Sequence, residues 1–255
     1  DTIHYANINK YKDCSQVKEE LKNLGDAVAI CMGDYGLYLS NKIIINSYNK
    51  DNNFSKVLSY FNDTVINTIK GELLDVTLPF RSKYKIEEDK NLEEYIMNIY
   101  KLKTAYYTII GPLSTGMILA GTTSEELKDI EKFGELVGIA FQIQDDLLGI
   151  YSEETGKVKG SDIKEFKQTI LYYYTCNTKY KDSLLKYYGQ DNLTEENIKE
   201  VKEIFEICGA KEYAKKMMNN MYDESLNILN NISWIKEDKK DLLRGFVEFL
   251  KTRNK

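Results

Sequence analysis

Apolar residues recur every three or four positions over most of the chain, in long stretches whose other positions are charged, and alternating apolar and polar runs are almost absent. That period belongs to the α-helix and predicts an all-α protein. Thr123-Ser-Glu-Glu126 has the form of a capping box, and Ile130, Phe133, Val137, Phe141 and Leu148 follow it at helical spacing, which predicts a helix running to about Tyr151. Thr194 likewise precedes Ile198, Val201, Phe205 and Cys208, with Gly209 as the stop. Leu242, Leu243, Phe246, Phe249 and Leu250 predict the apolar stripe of a last helix. Loops are expected near residues 47–54, 80–91, 152–165 and 188–194.

The stretch from Thr104 to Ser124 carries no charge and has the length of a membrane span. It also contains Tyr106, Tyr107, Thr108, Pro112, Ser114, Thr115 and three glycines, a composition for a helix buried inside a bundle, so no membrane span is expected.

Composition narrows the function. A chain of 255 residues fits one large domain or two small ones, of which a single domain over 1–255 is expected, and its 35 basic and 40 acidic residues are mixed rather than blocked, which gives no reason to expect nucleic acid as partner. His4 is the only histidine, so a zinc site or a Ser-His-Asp triad has almost nothing to be built from. Cys14, Cys31, Cys176 and Cys208 are scattered, as suits a reduced cytoplasmic protein. There is no signal-peptide pattern and no initiator methionine, so Asp1 is expected to mark a processed or truncated start.

The informative stretch is Phe141-Gln-Ile-Gln-Asp-Asp-Leu-Leu-Gly149, which sets two adjacent carboxylates in an apolar helix. Unpaired charges there are costly, so they are expected to face a cation or a water-filled cavity. Gly134, Gly138, Gln142, Asp145 and Gly149 are spaced as one helical face, which predicts a thin, polar cavity wall with Asp145 on it. Oxygen ligands without histidine favour a hard cation such as magnesium. The bare Asp-Asp pair is equally compatible with a solvated helix surface.

With Phe141-Gln142 ahead of it and the glycines around it, this segment resembles the second aspartate-rich motif of the trans-isoprenyl diphosphate synthases, F-Q-x-x-D-D-x-x-D, departing from it at Gly149. Gly33-Asp34, Gly71-Glu-Leu-Leu-Asp75, Lys103-Thr104, and Thr155-Gly-Lys157 with Gly160-Ser-Asp162 and Lys167-Gln-Thr169 resemble further elements of that family, in its order. The resemblance implies an isoprenoid synthase-type bundle of long antiparallel helices around a deep central cavity. It implies a prenyl transfer in which isopentenyl diphosphate is joined to an allylic diphosphate with magnesium ionising the allylic partner. Asp145, Lys103 and Lys157 would be catalytic; Lys103, Thr104, Gln142, Lys157 and Lys167 would bind the substrate diphosphate; Asp145 and Asp146 would hold metal. A homodimer is implied as well. The family's first motif should fall close to Asp1, which would then be its remnant and a further metal ligand, and the helices preceding it are missing from this sequence. Two other functions share the fold: a non-catalytic or regulatory subunit of a heteromeric synthase, and a class I terpene cyclase, whose second metal motif mixes Asn, Ser or Thr with Glu. Asp34 and Asp75 are expected to be structural partners, and Tyr172, Tyr173 and Tyr174 to be helix packing.

Overall fold

The structure is a computed structural model that describes residues 18–84, 91–152, 160–190 and 192–253. Every regular element among them is a helix, in agreement with the all-α expectation. The elements are α1 (Lys18–Tyr48), α2 (Phe54–Lys83), α3 (Leu92–Ile99), a π-helical segment (Tyr100–Ile110), α4 (Gly111–Leu119), α5 (Ser124–Tyr151), α6 (Ser161–Lys164), α7 (Ile170–Cys176), α8 (Lys181–Leu185), α9 (Glu195–Ile207), α10 (Ala210–Asn231) and α11 (Glu237–Thr252). By contacts the chain divides into two compact units, Asp1–Leu58 and Ser59–Lys255. The first contains α1 and the start of α2, and the second contains the residues that matter for chemistry.

Helix ends follow the local chemistry read from the sequence. The Glu126 N–H donates to the Thr123 hydroxyl at 3.3 Å and the Thr123 N–H donates to the Glu126 carboxylate at 2.8 Å, which closes the capping box of α5. Thr194 and Asn197 make the same reciprocal pair at the start of α9. Gly209 has φ +89°, the left-handed conformation that ends α9 and starts α10.

In the second unit α5 is the central helix, packed most extensively against α10 and the π-helical segment. Ile130, Phe133, Val137, Ala140 and Ile143 are buried along it. The uncharged stretch is indeed helix, wound wide at first: the Gly111 N–H reaches back five residues to the Tyr106 carbonyl. Among the described residues no helix is long and apolar enough to cross a membrane.

Two expectations are corrected. In the last helix Val247 and Leu250 are buried and Leu243 packs beside them, whereas Leu242 and Phe249 are exposed. Spacings of four and three place Leu243, Val247 and Leu250 on the face that meets the bundle, and the richer apolar stripe lies beside it. The second correction concerns the glycines of α5. A methyl group on Gly138 would stand 2.4 Å from Ala105 Cα, and one on Gly134 would stand 3.1 Å from the Ile110 side chain, so these glycines let the π-helical segment approach α5 closely rather than line a cavity. Gly71 of α2 does the same from the other side, with its absent methyl 2.3 Å from the Lys103 backbone nitrogen. The segment bearing Lys103, Thr104 and Ala105 is thus held between Gly71 and Gly138.

Candidate active site

That clasp fixes where Lys103 and Thr104 point. The Lys103 ammonium pairs with the Asp75 carboxylate and with Glu72 at 2.9 Å, both on α2. Burial alone would lower its pKa, but the hydrogen bonds to Asp75 and Glu72 outweigh burial and raise it, so Lys103 is held as a cation. Asp75 is therefore the structural partner expected of it, and that partner is Lys103. The Thr104 hydroxyl donates to the Gln142 side-chain carbonyl at 2.5 Å, and the Gln142 amide donates to Asp146 at 2.9 Å.

Asp146 is the hub of the network. Its second oxygen accepts the hydroxyl of Tyr100, which in turn accepts the Ile170 N–H at 3.0 Å. The residue is 2% exposed. Burial pushes its carboxyl up to about 6, against the lowering influence of the Lys167 charge and the Tyr100 and Gln142 hydrogen bonds. Lys167 lies 3.8 Å from Asp162. Burial would depress its ammonium, but the charges of Asp146, Asp162 and Asp75 lift it to about 12.

The two adjacent aspartates part company. Along α5 the line that faces the π-helical segment is Gly134, Gly138, Gln142 and Asp146, each four residues from the last, so the aspartate on the glycine face is Asp146 rather than Asp145. Asp145 pairs with Arg253 just beyond the end of α11, and its side chain is 31% exposed. The Asp145 charge was expected to face a cation or a water-filled cavity, and the cation beside it is the Arg253 guanidinium. The expectation of Asp146 as a metal ligand meets a carboxylate sealed from solvent, with both oxygens accepting hydrogen bonds from the protein. A methyl group on Gly149 would stand 3.3 Å from Asp162, so the carboxylate of Asp162 lies beside the position where the motif has its third aspartate.

Of the expected site residues, the structure brings Lys103, Thr104, Gln142, Asp146 and Lys167 into one network and sets Asp145 on the neighbouring face. Lys157 and Asp1 lie outside the described residues. Sequence reasoning gave no role to Tyr100, Asp162 or Arg253. Asp162 was visible as a member of a quoted segment, but Arg253 and Tyr100 were not singled out, Tyr100 being one tyrosine among 20.

Among the described residues no group of three His, Cys, Asp or Glu side chains could hold a metal ion. The donor chemistry nevertheless fits magnesium in kind, because the partly exposed Asp145 offers carboxylate oxygen, the ligand atom that magnesium takes. Such an ion would need its other oxygens from water or from a bound anion.

The described site is thus a pair of lysines held by carboxylates beside a Thr104–Gln142–Asp146 relay in a helical bundle. Residues 13–207 match the polyprenyl synthetase family model. The chain is 31% identical over 238 residues to the short chain isoprenyl diphosphate synthase of Methanothermobacter thermautotrophicus, covering 90% of this chain and 68% of that protein. It is 27% identical over 228 residues to the geranylgeranyl diphosphate synthase of Methanosarcina mazei, covering 88% of this chain and 63% of that one. The fold matches the crystal structure of geranylgeranyl pyrophosphate synthase from Corynebacterium glutamicum, complexed with isoprenyl diphosphate and magnesium, with a TM-score of 0.86 at 23% identity over 99% of this chain and 70% of that one. The chain belongs to the polyprenyl synthetase family, and it spans about two thirds of the length of these relatives.

Proposed function

We propose that this chain carries the diphosphate-binding and ionising half of a trans-prenyltransferase, which condenses isopentenyl diphosphate with a dimethylallyl, geranyl or farnesyl diphosphate to give a longer all-trans prenyl diphosphate and pyrophosphate. The observation that carries the reading is that Lys103 and Lys167, from separate elements, both face Asp75, with Lys167 also facing Asp146 at the end of the Thr104–Gln142–Asp146 relay. Both lysines are held as cations by carboxylates, so they are positioned before any substrate arrives. Lys103, Lys167 and Lys157 would draw the allylic diphosphate in and offset the charge that grows on it as the C–O bond breaks. Thr104 would orient it through its hydroxyl, with Gln142 fixing the rotamer. Asp145 would hold magnesium, with Asp1 as a further candidate ligand; the bound ion would supply Lewis acidity and a template for the leaving diphosphate. Asp146 would act from below as the anchor that keeps Gln142 and Tyr100 in place.

We also place the protein in the cytoplasm and assemble it as a homodimer. Cys31, Cys176 and Cys208 are free thiols, which supports a reduced compartment. Leu24, Ile30, Tyr35, Tyr38 and Ile43 of α1 are exposed, and so many exposed large apolar residues on one helix support a subunit contact. Sedimentation of a monomer at micromolar concentration would count against the dimer. The activity is tested by incubating the protein with magnesium, isopentenyl diphosphate and each allylic diphosphate in turn, and following pyrophosphate release and prenyl chain length. Release of pyrophosphate with a longer prenyl product from at least one pair is expected. A folded protein that binds magnesium pyrophosphate yet turns over no pair would leave the regulatory-subunit role in its place.

A further inference from the structure

Arg253 is placed more firmly than an ion pair near a helix end requires. Its guanidinium pairs with Asp145 and lies over the Phe141 ring, 4.3 Å from the centroid. Its backbone carbonyl accepts the Gln144 side-chain amide at 3.0 Å, and the other end of Gln144 accepts the hydroxyl of the fully buried Tyr222 at 3.1 Å. Phe141, Gln144 and Asp145 stand at spacings of three and four, so one face of α5 grips the end of α11 through an aromatic ring, an amide and a carboxylate. The grip is incomplete in one respect. The Arg253 Nε is buried and has no hydrogen-bond partner, so the guanidinium does not make the two-point fork with a carboxylate of which arginine is capable.

We propose that Arg253 is a built-in counter-ion that occupies Asp145 until a divalent cation displaces it, so that the affinity of the site for metal is set by this pair. The inference rests on the reading of Asp145 as a magnesium ligand. The physical reasons are three. Asp145 and Arg253 are both partly exposed, with side chains 31% and 21% accessible, so an ion in solvent can reach the carboxylate. A pair at that exposure is weak enough to exchange. A guanidinium and a hydrated divalent ion compete for the same oxygens, and the buried Nε means that Arg253 gives up one ion pair, not a fully satisfied set of bonds, when it lets go. Arg253 is thus a positioning residue acting through Asp145: with metal absent, it keeps the carboxylate ordered and its charge compensated.

The test is a magnesium titration of the whole chain at fixed inorganic pyrophosphate, read as the rise in melting temperature, on the original protein and on Arg253→Gln, Phe141→Leu, Asp145→Asn and the Asp145→Asn/Arg253→Gln double variant. Far-UV circular dichroism confirms that each is folded. Arg253→Gln is expected to reach half-saturation at about two- to fivefold lower magnesium, the range that a partly exposed ion pair implies. Phe141→Leu loosens the arginine without touching either charge and should shift the midpoint the same way by less, so the inference stays testable if Arg253→Gln unfolds. Asp145→Asn should lose the response, and the double variant should behave like Asp145→Asn. If Arg253→Gln needs the same or more magnesium while Asp145→Asn loses the response, Asp145 is a ligand and Arg253 is no competitor, which overturns the proposal alone. If Asp145→Asn responds as the original protein does, Asp145 is no ligand and both readings fall.

Discussion

Asp145 and Asp146 are neighbours in sequence with opposite environments: Asp145 is partly exposed and paired with Arg253, while Asp146 is sealed inside the bundle and accepts hydrogen bonds from Tyr100 and Gln142. One residue along a helix is a rotation of about a hundred degrees, enough to carry the second carboxylate from the α11 side of α5 to the π-helical side. Equivalent substitutions should therefore fail differently. Asp145→Ala is expected to lower turnover by about two orders of magnitude or more, the size seen when one electrostatic stabiliser of a transition state is removed. Its metal-free stability should fall by no more than about 1 kcal/mol, because the lost pair is partly exposed. Urea unfolding without magnesium, beside steady-state kinetics, checks both; a variant that turns over normally removes Asp145 from the mechanism.

Asp146 should govern the pH dependence of stability. Its carboxyl is raised from the usual 3.8 to about 6, chiefly by burial, so the folded state holds that proton more tightly than the unfolded state does. The stabilisation is fully present below the unfolded value and is lost as pH rises through the folded one. A shift of that size corresponds to about 3 kcal/mol, lost between about pH 4 and about pH 7. Asp146→Asn removes the titration, so its stability relative to the original protein should rise across that window and level off above it. Unfolding free energies measured at several pH values decide this, and a difference that stays flat means that Asp146 ionises as an exposed carboxyl would.

Glycines of the same helical bundle should respond in opposite directions to the same change. Gly138→Ala and Gly71→Ala place a methyl against backbone, 2.4 Å from Ala105 Cα and 2.3 Å from the Lys103 nitrogen, and each should destabilise by about 1–3 kcal/mol as the π-helical segment is pushed away. Gly116→Ala in α4 meets nothing within 4 Å and should stabilise by about 0.5–1 kcal/mol through the unfolded chain. Thermal melts of the three variants are sufficient, and a neutral Gly138→Ala would refute the close approach.

The parts of this protein legible in the sequence are those set by local chemistry. Thr123 with Glu126, Thr194 and Gly209 mark helix ends because a side chain or a backbone conformation there acts on its own few residues. Lys103, Thr104, Gln142, Asp146 and Lys167 were legible as motif members, yet which of two adjacent aspartates turns inward was not. That depends on where α11 ends, since Arg253 lies 108 residues from Asp145 in the chain. The glycine spacing was visible too, but spacing gives only a face; whether a cavity or another helix meets that face is decided by Ala105 and Ile110 across the contact. Tyr100 was hidden for the same reason, its two partners being 46 and 70 residues away.

The pair formed by Lys103 and Asp75 separates a residue's work in folding from its work on substrate. Asp75 is 15% exposed at its side chain, so Lys103→Met leaves a poorly solvated carboxylate without its cation, whereas Asp75→Asn together with Lys103→Met leaves two neutral groups of similar shape. Lys103→Met alone should lower stability by about 1–3 kcal/mol, and the double variant should recover most of that loss. Activity should not recover, because the cation proposed to meet the allylic diphosphate is absent from both. Both variants should show a raised KM for the allylic substrate and a kcat lowered by about tenfold or more, with the KM for isopentenyl diphosphate changed far less. Urea unfolding and steady-state kinetics on the two variants are the measurement. Recovery of activity alongside stability would make Lys103 a structural cation only, and leave Lys167 and Lys157 to carry the diphosphate.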